Sequence, residues 1–268
     1  MGIRNLAYCV MKAAPLARTS KANFNDTVLL EIDTWRKVDL TQQLKPQEEA
    51  ETAATAPAGE VAIGRGLFTP AKVSKLAYTV SKQFLHHKPD VILIEEQRHR
   101  SSGGSAIQEW TIRVNMLESM LWACLETMKH EAAFNETSFP SIYSVSPAKV
   151  ARFWYAGNTI ELSPTLSLLD GGCAIEEPPG RTKITKKDRI AVLQNWLNTT
   201  DNKDVSLKFA GEAQATAQRF MTSEGRRRGV AASEKLDDLT DCLLQGAAWI
   251  KWQKNISDLS DMLATKDV

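Results

Sequence analysis

Five carboxylates in two short segments have the residue types needed for metal-assisted chemistry. Glu95 and Glu96 follow an apolar run, and Asp237, Asp238 and Asp241 lie together much further along the chain. Carboxylate oxygens are good ligands for Mg²⁺, and two such ions about 4 Å apart can activate a water molecule and stabilise the leaving oxygen of a phosphodiester. The pattern indicates phosphodiester hydrolysis. The simpler alternative is that the glutamates are solvated and the aspartates favour a helix N-terminus.

The three aspartates have helical spacing. Asp238 and Asp241 are three residues apart, and Asp237 and Asp241 are four apart, so at least one pair shares a helix face. The helix dipole favours acidic residues in the first turn, but it explains less well why Asp241 follows in the second turn. On spacing alone, both pairs stay open as metal ligands.

Short basic segments accompany these carboxylates, although the net charge of the chain is only +1. So small a net charge gives no global attraction to nucleic acid, and any basic patch must be local. The candidates are Arg98 and Arg100 after the glutamates, then Lys183, Lys186 and Lys187, and finally Arg226, Arg227 and Arg228. Together they could bind a phosphate backbone; the alternative is that they are solvated charges.

The carboxylates need elements that bring them together. Val91–Glu95 reads as a buried strand of an α/β sheet, and such folds place their sites at the carboxyl ends of strands. A helix over Ser233–Lys254 would carry the aspartates. The other predicted strands are Leu6–Met11, Thr27–Leu40 and Ser141–Val145, and the other predicted helices are Ala71–Phe84, Ala106–Lys129, Pro147–Tyr155, Asp188–Asn198 and Ala210–Met221. We expect one domain over 1–268, with irregular insertions at 41–66 and 157–190.

Several classes of protein are disfavoured by the sequence. The four cysteines are far apart, which predicts neither a zinc site nor a disulfide framework. The adjacent His86 and His87 point in different directions on a helix and are expected at the surface. The chain has no apolar run of membrane-spanning length. It also lacks the glycine-rich motifs of nucleotide-cofactor sites, which argues against a small-molecule α/β enzyme that uses such a cofactor.

The order of these elements and motifs resembles the RuvC-type nucleases of the RNase H-like superfamily, and within them the fungal mitochondrial Holliday-junction resolvases. The motifs are Gly2-Ile3-Arg4-Asn5-Leu6-Ala7-Tyr8-Cys9, Leu93-Ile94-Glu95-Glu96-Gln97-Arg98, Val145-Ser146-Pro147 and Lys235-Leu236-Asp237-Asp238-Leu239-Thr240-Asp241. The resemblance implies an α/β fold with an RNase H-like mixed central sheet flanked by helices. It also implies a Mg²⁺-dependent endonuclease, with Mn²⁺ as a substitute, that resolves four-way DNA junctions as a homodimer in mitochondrial DNA recombination.

The resemblance also assigns roles to residues. Glu95, Asp238 and Asp241 match the family's metal ligands, with Asp237 as the rival of Asp238, and Glu96 stands where a non-ligand is expected. Arg4 joins the basic residues named above as a DNA contact. If a dimer forms, the Ala106–Lys129 helix is the candidate seam.

One departure concerns the start of the chain. The family's first catalytic aspartate would precede Gly2, at or before Met1, so we expect a truncated first strand and a poorly active polypeptide. Robust Mg²⁺-dependent junction cleavage by this chain would refute that expectation. Two other functions stay open: a junction-binding protein without catalysis, and another RNase H-like nuclease such as a transposase or an RNase H.

Overall fold

The computed structural model describes residues 3–13, 27–44, 68–97, 108–134, 138–156, 184–199, 204–223 and 236–264. The strands are β1 (Leu6–Ala13), β2 (Val28–Val38), β3 (Val91–Glu95), β4 (Ser141–Val145) and β5 (Val205–Phe209). The helices are α1 (Thr41–Leu44), α2 (Pro70–His86), α3 (Glu109–Phe134), α4 (Pro147–Ala156), α5 (Lys186–Asn198), α6 (Gly211–Ser223) and α7 (Leu236–Ala264). None of the described helices is both long enough and apolar enough to cross a membrane.

The described strands form two sheets. In the first, β2 is central, antiparallel to β1 and parallel to β5. In the second, β3 and β4 run parallel, with Glu95 paired to Val145 at their carboxyl ends. Helices pack against these sheets, so the mixed α/β class predicted from the sequence is observed. The strands lie in two sheets in the described part of the chain, where one central sheet was expected.

The β3–β4 pair presents different residues to its two sides. Ile92 and Ile94 are buried together with Leu125 of α3. Leu93 packs instead against the core that surrounds α7, and Glu95 alternates with Ile94 and so points to the same side as Leu93. The alternation of the strand therefore sends the Glu95 carboxylate toward the helix that carries the aspartates.

Helices α2 and α3 form a layer of their own. Thr69 caps α2 by accepting a hydrogen bond from the Lys72 amide, and Pro70 occupies the first turn; both residue types are favoured at these positions. The buried face of α2 packs on Leu117 and Leu121 of α3, with Met116 and Met120 at the margin. These methionines are therefore part of a helix–helix contact within the chain.

Three elements differ from the prediction. The sequence does not predict β5, because a strand of five residues is identified mainly by its pairing with β2, which is distant in sequence. The predicted insertion at 41–66 begins with α1, where the Asp39 carboxylate accepts hydrogen bonds from the amide and hydroxyl of Thr41. The insertion at 157–190 ends early, because Thr185 and Asp188 form a capping box that starts α5 at Lys186. Positions 45–66 and 157–183 lie outside the described residues.

Gly211 at the start of α6 has a backbone conformation that other residues rarely adopt. Its φ is +50°, and a Cβ there would lie 3.3 Å from the Asp33 carbonyl oxygen. Replacing Gly211 with alanine is expected to reduce the free energy of unfolding by about 1–2 kcal/mol, measured by urea denaturation. Alanine at the exposed helical position Gln214 of α6 is the control and should cost less than about 0.5 kcal/mol. Equal stability of the two variants would contradict the prediction.

Candidate active site

Two tryptophans fix the position of helix α7. The Trp35 indole N–H of β2 donates to the Leu239 carbonyl over 2.9 Å, and the Trp154 indole N–H of α4 donates to the Leu244 carbonyl over 3.0 Å. Trp35 is fully buried and Trp154 nearly so. Because these bonds lie on either side of Asp241 in the sequence, they hold its segment of α7 in place relative to the sheet and α4.

A cleft of about 20 Å³ lies between α7, α5, α4 and the end of β3. Its polar lining includes Glu95, Arg189 and Asp241, and its apolar lining includes Trp154 and Leu244. A space of this size holds about one water molecule. A substrate that reached Glu95 and Asp241 would therefore approach from the mouth of the cleft.

Asp241 is bound by a cation from α5. Its carboxylate lies 2.5 Å from a guanidinium nitrogen of Arg189, and the two side chains are 26% and 22% exposed. Burial raises the pKa of Asp241 to about 6, and the negative charge of Glu95 acts in the same direction, while Arg189 opposes the rise. Glu95 and Asp241 thus influence each other across the cleft, although they are 146 positions apart in the sequence.

A second cation of α5 pairs with Asp237. The Lys186 ammonium donates a hydrogen bond to the Asp237 carboxylate, which is 14% exposed. Burial acts to raise the pKa of Asp237, but the hydrogen bond and charge of Lys186, together with hydrogen bonds from backbone amides, outweigh it and the pKa falls. The same bond raises the pKa of Lys186. Lys186 and Arg189, one helical turn apart on α5, therefore neutralise two of the three aspartates on α7.

These pairs bear on whether the residues fit a metal ion. Within the described part of the chain, no group of three or more His, Cys, Asp or Glu side chains is arranged to hold one. The donor chemistry suits Mg²⁺, but Arg189 and Lys186 occupy carboxylate oxygens that a metal would need. Asp238 also interacts electrostatically with Lys186. The arrangement as it stands is not a complete metal site.

The predicted site residues have different outcomes. The structure brings Glu95 and Asp237 each within electrostatic reach of Asp241, and Asp238 lies beside Asp237 at the start of α7. Arg4, Lys186 and Lys187 are exposed. The remaining predicted DNA contacts lie outside the described residues: Arg98, Arg100, Lys183, Arg226, Arg227 and Arg228.

Arg189 is not among the site residues predicted from the sequence. The basic run predicted to contact DNA ends at Lys187, before the predicted helix. The capping pattern of Thr185 and Asp188 is the sequence signal that starts the helix at Lys186. A helix that starts there places Lys186 and Arg189, three residues apart, on one face.

Two thiols pack close to this site without the properties of nucleophiles. Cys9 of β1 and Cys242 of α7 border the core around α7. Burial raises the pKa of both thiols well above its ordinary value, and the charge of Asp241 adds to the effect at Cys242. Since only the thiolate is a good nucleophile, cysteine chemistry is not supported here.

The fold and the cleft define an α/β protein with an acidic site at the carboxyl end of a parallel strand pair, flanked by helix-borne cations. The chain belongs to the family described as mitochondrial resolvase Ydc2 / RNA splicing MRS1, whose model matches residues 1–259. This confirms the family resemblance read from the sequence.

Relatives and a solved structure agree with this placement. The chain is 27% identical over 191 residues to cruciform cutting endonuclease 1, mitochondrial, of Schizosaccharomyces pombe, and 24% identical over 216 residues to the protein of the same name from Saccharomyces cerevisiae. These matches cover 70% and 74% of this chain, and 61% and 58% of the relatives. The chain thus spans about three fifths of their length. The crystal structure of the yeast mitochondrial Holliday junction resolvase Ydc2 matches with a TM-score of 0.54 at 21% identity, over 97% of this chain and 79% of that one. It supports the fold.

Proposed function

We propose that this protein is a structure-selective endonuclease that resolves four-way DNA junctions in mitochondrial DNA recombination. The observation that carries the proposal is the meeting of Glu95 and Asp241, from two distant elements, in one cleft flanked by the α5 cations. The names of the relatives supply the substrate class and the compartment. A homodimer suits the proposal, because a four-way junction offers two symmetric strands.

The proposal includes Mg²⁺ dependence, with Mn²⁺ as a substitute. Glu95 and Asp241, with Asp237 or Asp238, would supply the oxygen ligands once the α5 cations release them. A bound metal ion would lower the pKa of a water molecule and stabilise the leaving oxygen. Arg189 and Lys186, once released, would lie beside the anionic backbone and could pair with its phosphates.

The test uses a labelled four-way junction with this chain, in Mg²⁺ and in EDTA, with linear duplex as competitor. We expect selective binding in both conditions and weak cleavage that requires Mg²⁺. Glu95→Gln should reduce cleavage on the order of 100-fold or more while leaving junction binding intact. Glu131→Gln, an exposed change on α3, is the matched control and should cut like the parent chain. Equal affinity for junction and duplex, or undiminished cleavage by Glu95→Gln, would refute the proposal.

A second candidate, selective binding of branched nucleic acid without cleavage, is favoured by the ion pairs that neutralise Asp237 and Asp241. The family description also includes RNA splicing. Under this candidate the chain binds the junction equally well in Mg²⁺ and EDTA and cuts nothing in Mg²⁺ or Mn²⁺. Competition between DNA and RNA junctions would then identify the preferred nucleic acid.

A further inference from the structure

A larger cleft lies beside the acidic one. It is open to solvent, has a volume of about 460 Å³ and is lined by Glu96, Ser144, Val145, Ser146, Lys149, Trp249 and Trp252. This volume is within the range of roughly 300–1,000 Å³ that is usual for ligand sites.

The two clefts adjoin at the start of α4. Three pairs of sequence neighbours are divided between the two clefts. The acidic cleft is lined by Glu95, Pro147 and Val150, and the larger cleft by Glu96, Ser146 and Lys149. The amide N–H of Glu96 also donates to the Val145 carbonyl over 3.0 Å, which fixes the boundary between them. A chain-like ligand with one group at Glu95 could therefore place its adjacent group in the larger cleft.

Aromatic rings form one wall of the larger cleft. The Trp249 ring lies 4.5 Å from that of Tyr143, and the Trp252 ring lies 5.6 Å from that of Phe153. Both tryptophans border the core while remaining partly accessible. They are thus held by their neighbours before any ligand arrives, which reduces the entropy lost on binding.

The polar lining has two charges of opposite sign. Glu96 and Lys149 are both exposed, and Ser144 and Ser146 add hydroxyl groups. A carboxylate accepts hydrogen bonds from an exocyclic amino group such as that of cytosine. An ammonium pairs with a phosphate. A flat aromatic group attached to a phosphate backbone matches this combination of stacking, amino recognition and positive charge.

We propose that the cleft of Trp249 and Trp252 receives one unstacked nucleobase, from the nucleotide adjacent to the phosphate that lies at the mouth of the cleft of Glu95 and Asp241. This inference rests on the proposed function and deepens it by assigning a base-binding subsite. Stacking on indole supplies the affinity, Glu96 discriminates between bases, and Lys149 contacts the flanking phosphate. A four-way junction suits the site, because its crossover exposes bases that a continuous duplex keeps stacked.

The experiment is a coupling measurement with the full chain. A series of four-way junctions, each with one base near the crossover replaced by an abasic site, is bound in EDTA to the parent chain and to Trp252→Leu. At one position we expect loss of the base to weaken binding by the parent about tenfold. The same loss should weaken binding by Trp252→Leu less than about twofold. Tyr78→Leu, which alters an exposed aromatic side chain of α2 outside both clefts, should behave like the parent.

The outcomes separate this inference from the proposed function. If every abasic junction weakens both chains equally while the parent still prefers junction to duplex, the subsite is wrong and the proposed function stands. If the parent shows no junction preference, both fail. Should Trp252→Leu not fold by circular dichroism, Glu96→Gln replaces it, since Glu96 is exposed. That variant should change which base is preferred at the sensitive position, and an unchanged preference overturns the inference.

Discussion

Asp241→Asn is expected to stabilise the metal-free chain at neutral pH while reducing junction cleavage on the order of 100-fold or more. Burial raises the pKa of Asp241 from 3.8 to about 6. Because the folded chain holds this proton more tightly than the unfolded chain, the associated stability is complete below about pH 4 and is lost as the pH rises through 6. The loss amounts to about 2–3 kcal/mol. Asparagine avoids burying a charge and still offers Arg189 an oxygen acceptor.

The measurement is urea denaturation of parent and variant in EDTA between pH 4 and 8. The difference between the two chains should grow by about 2–3 kcal/mol over this range, with the variant more stable at pH 8. Because the pKa of Asp237 is lowered in the folded chain, its protonation reduces stability only below about pH 4, outside this window. Asp261→Asn, an exposed change on the same helix, is the control. Its free energy of unfolding should differ from that of the parent by the same amount at every pH. A flat difference for Asp241→Asn itself would show that Asp241 is not destabilised by burial.

Trp35→Ala is expected to give the largest loss of stability, about 3–5 kcal/mol. The Trp35 side chain is fully buried, and its ring stacks with those of Phe220 and Phe209, at centroid distances of 4.7 Å and 5.8 Å. Its indole N–H also donates to the Leu239 carbonyl of α7. Alanine would leave a large cavity between β2, α6 and α7 and release α7 close to Asp241.

Two further variants separate the parts of this effect in chemical denaturation. Trp35→Phe keeps an aromatic ring and removes the N–H donor, so it should cost about 1 kcal/mol for the hydrogen bond plus a smaller packing term. Trp110→Ala, at a tryptophan of α3 that is 41% exposed, should change stability by less than about 1 kcal/mol. A loss at Trp35→Ala no greater than at Trp110→Ala would mean that α7 is not anchored through β2.

Both effects come from the same design. The acidic site lies against the main apolar core. Helix α7 contributes Leu239, Leu243 and Leu244 to that core, and it contributes Asp241 to the acidic cleft. Burial of this helix therefore stabilises the fold but destabilises the ionised form of the Asp241 carboxylate. Removing the charge should increase stability and reduce activity, which is a common trade-off at active sites.

Local patterns in the sequence determined much of this protein. The continuous apolar run of β3 and the helical spacing of the α7 aspartates were sufficient to predict the elements that carry Glu95 and Asp241. Each of these signals acts over a few residues, through backbone preference or side-chain periodicity. The motif order was likewise sufficient to predict the family.

Tertiary structure alone decided the state of the site. Spacing could not distinguish Asp237 from Asp238, whereas the folded chain pairs Asp237 with Lys186 and Asp241 with Arg189. It also brings Glu96 and Trp252 to one cleft from elements more than 150 positions apart. Such contacts depend on how α5, α4 and α7 pack against the strands, and packing is set by the whole apolar core. Sequence patterns thus predicted which residues could act, and packing decided which charges meet.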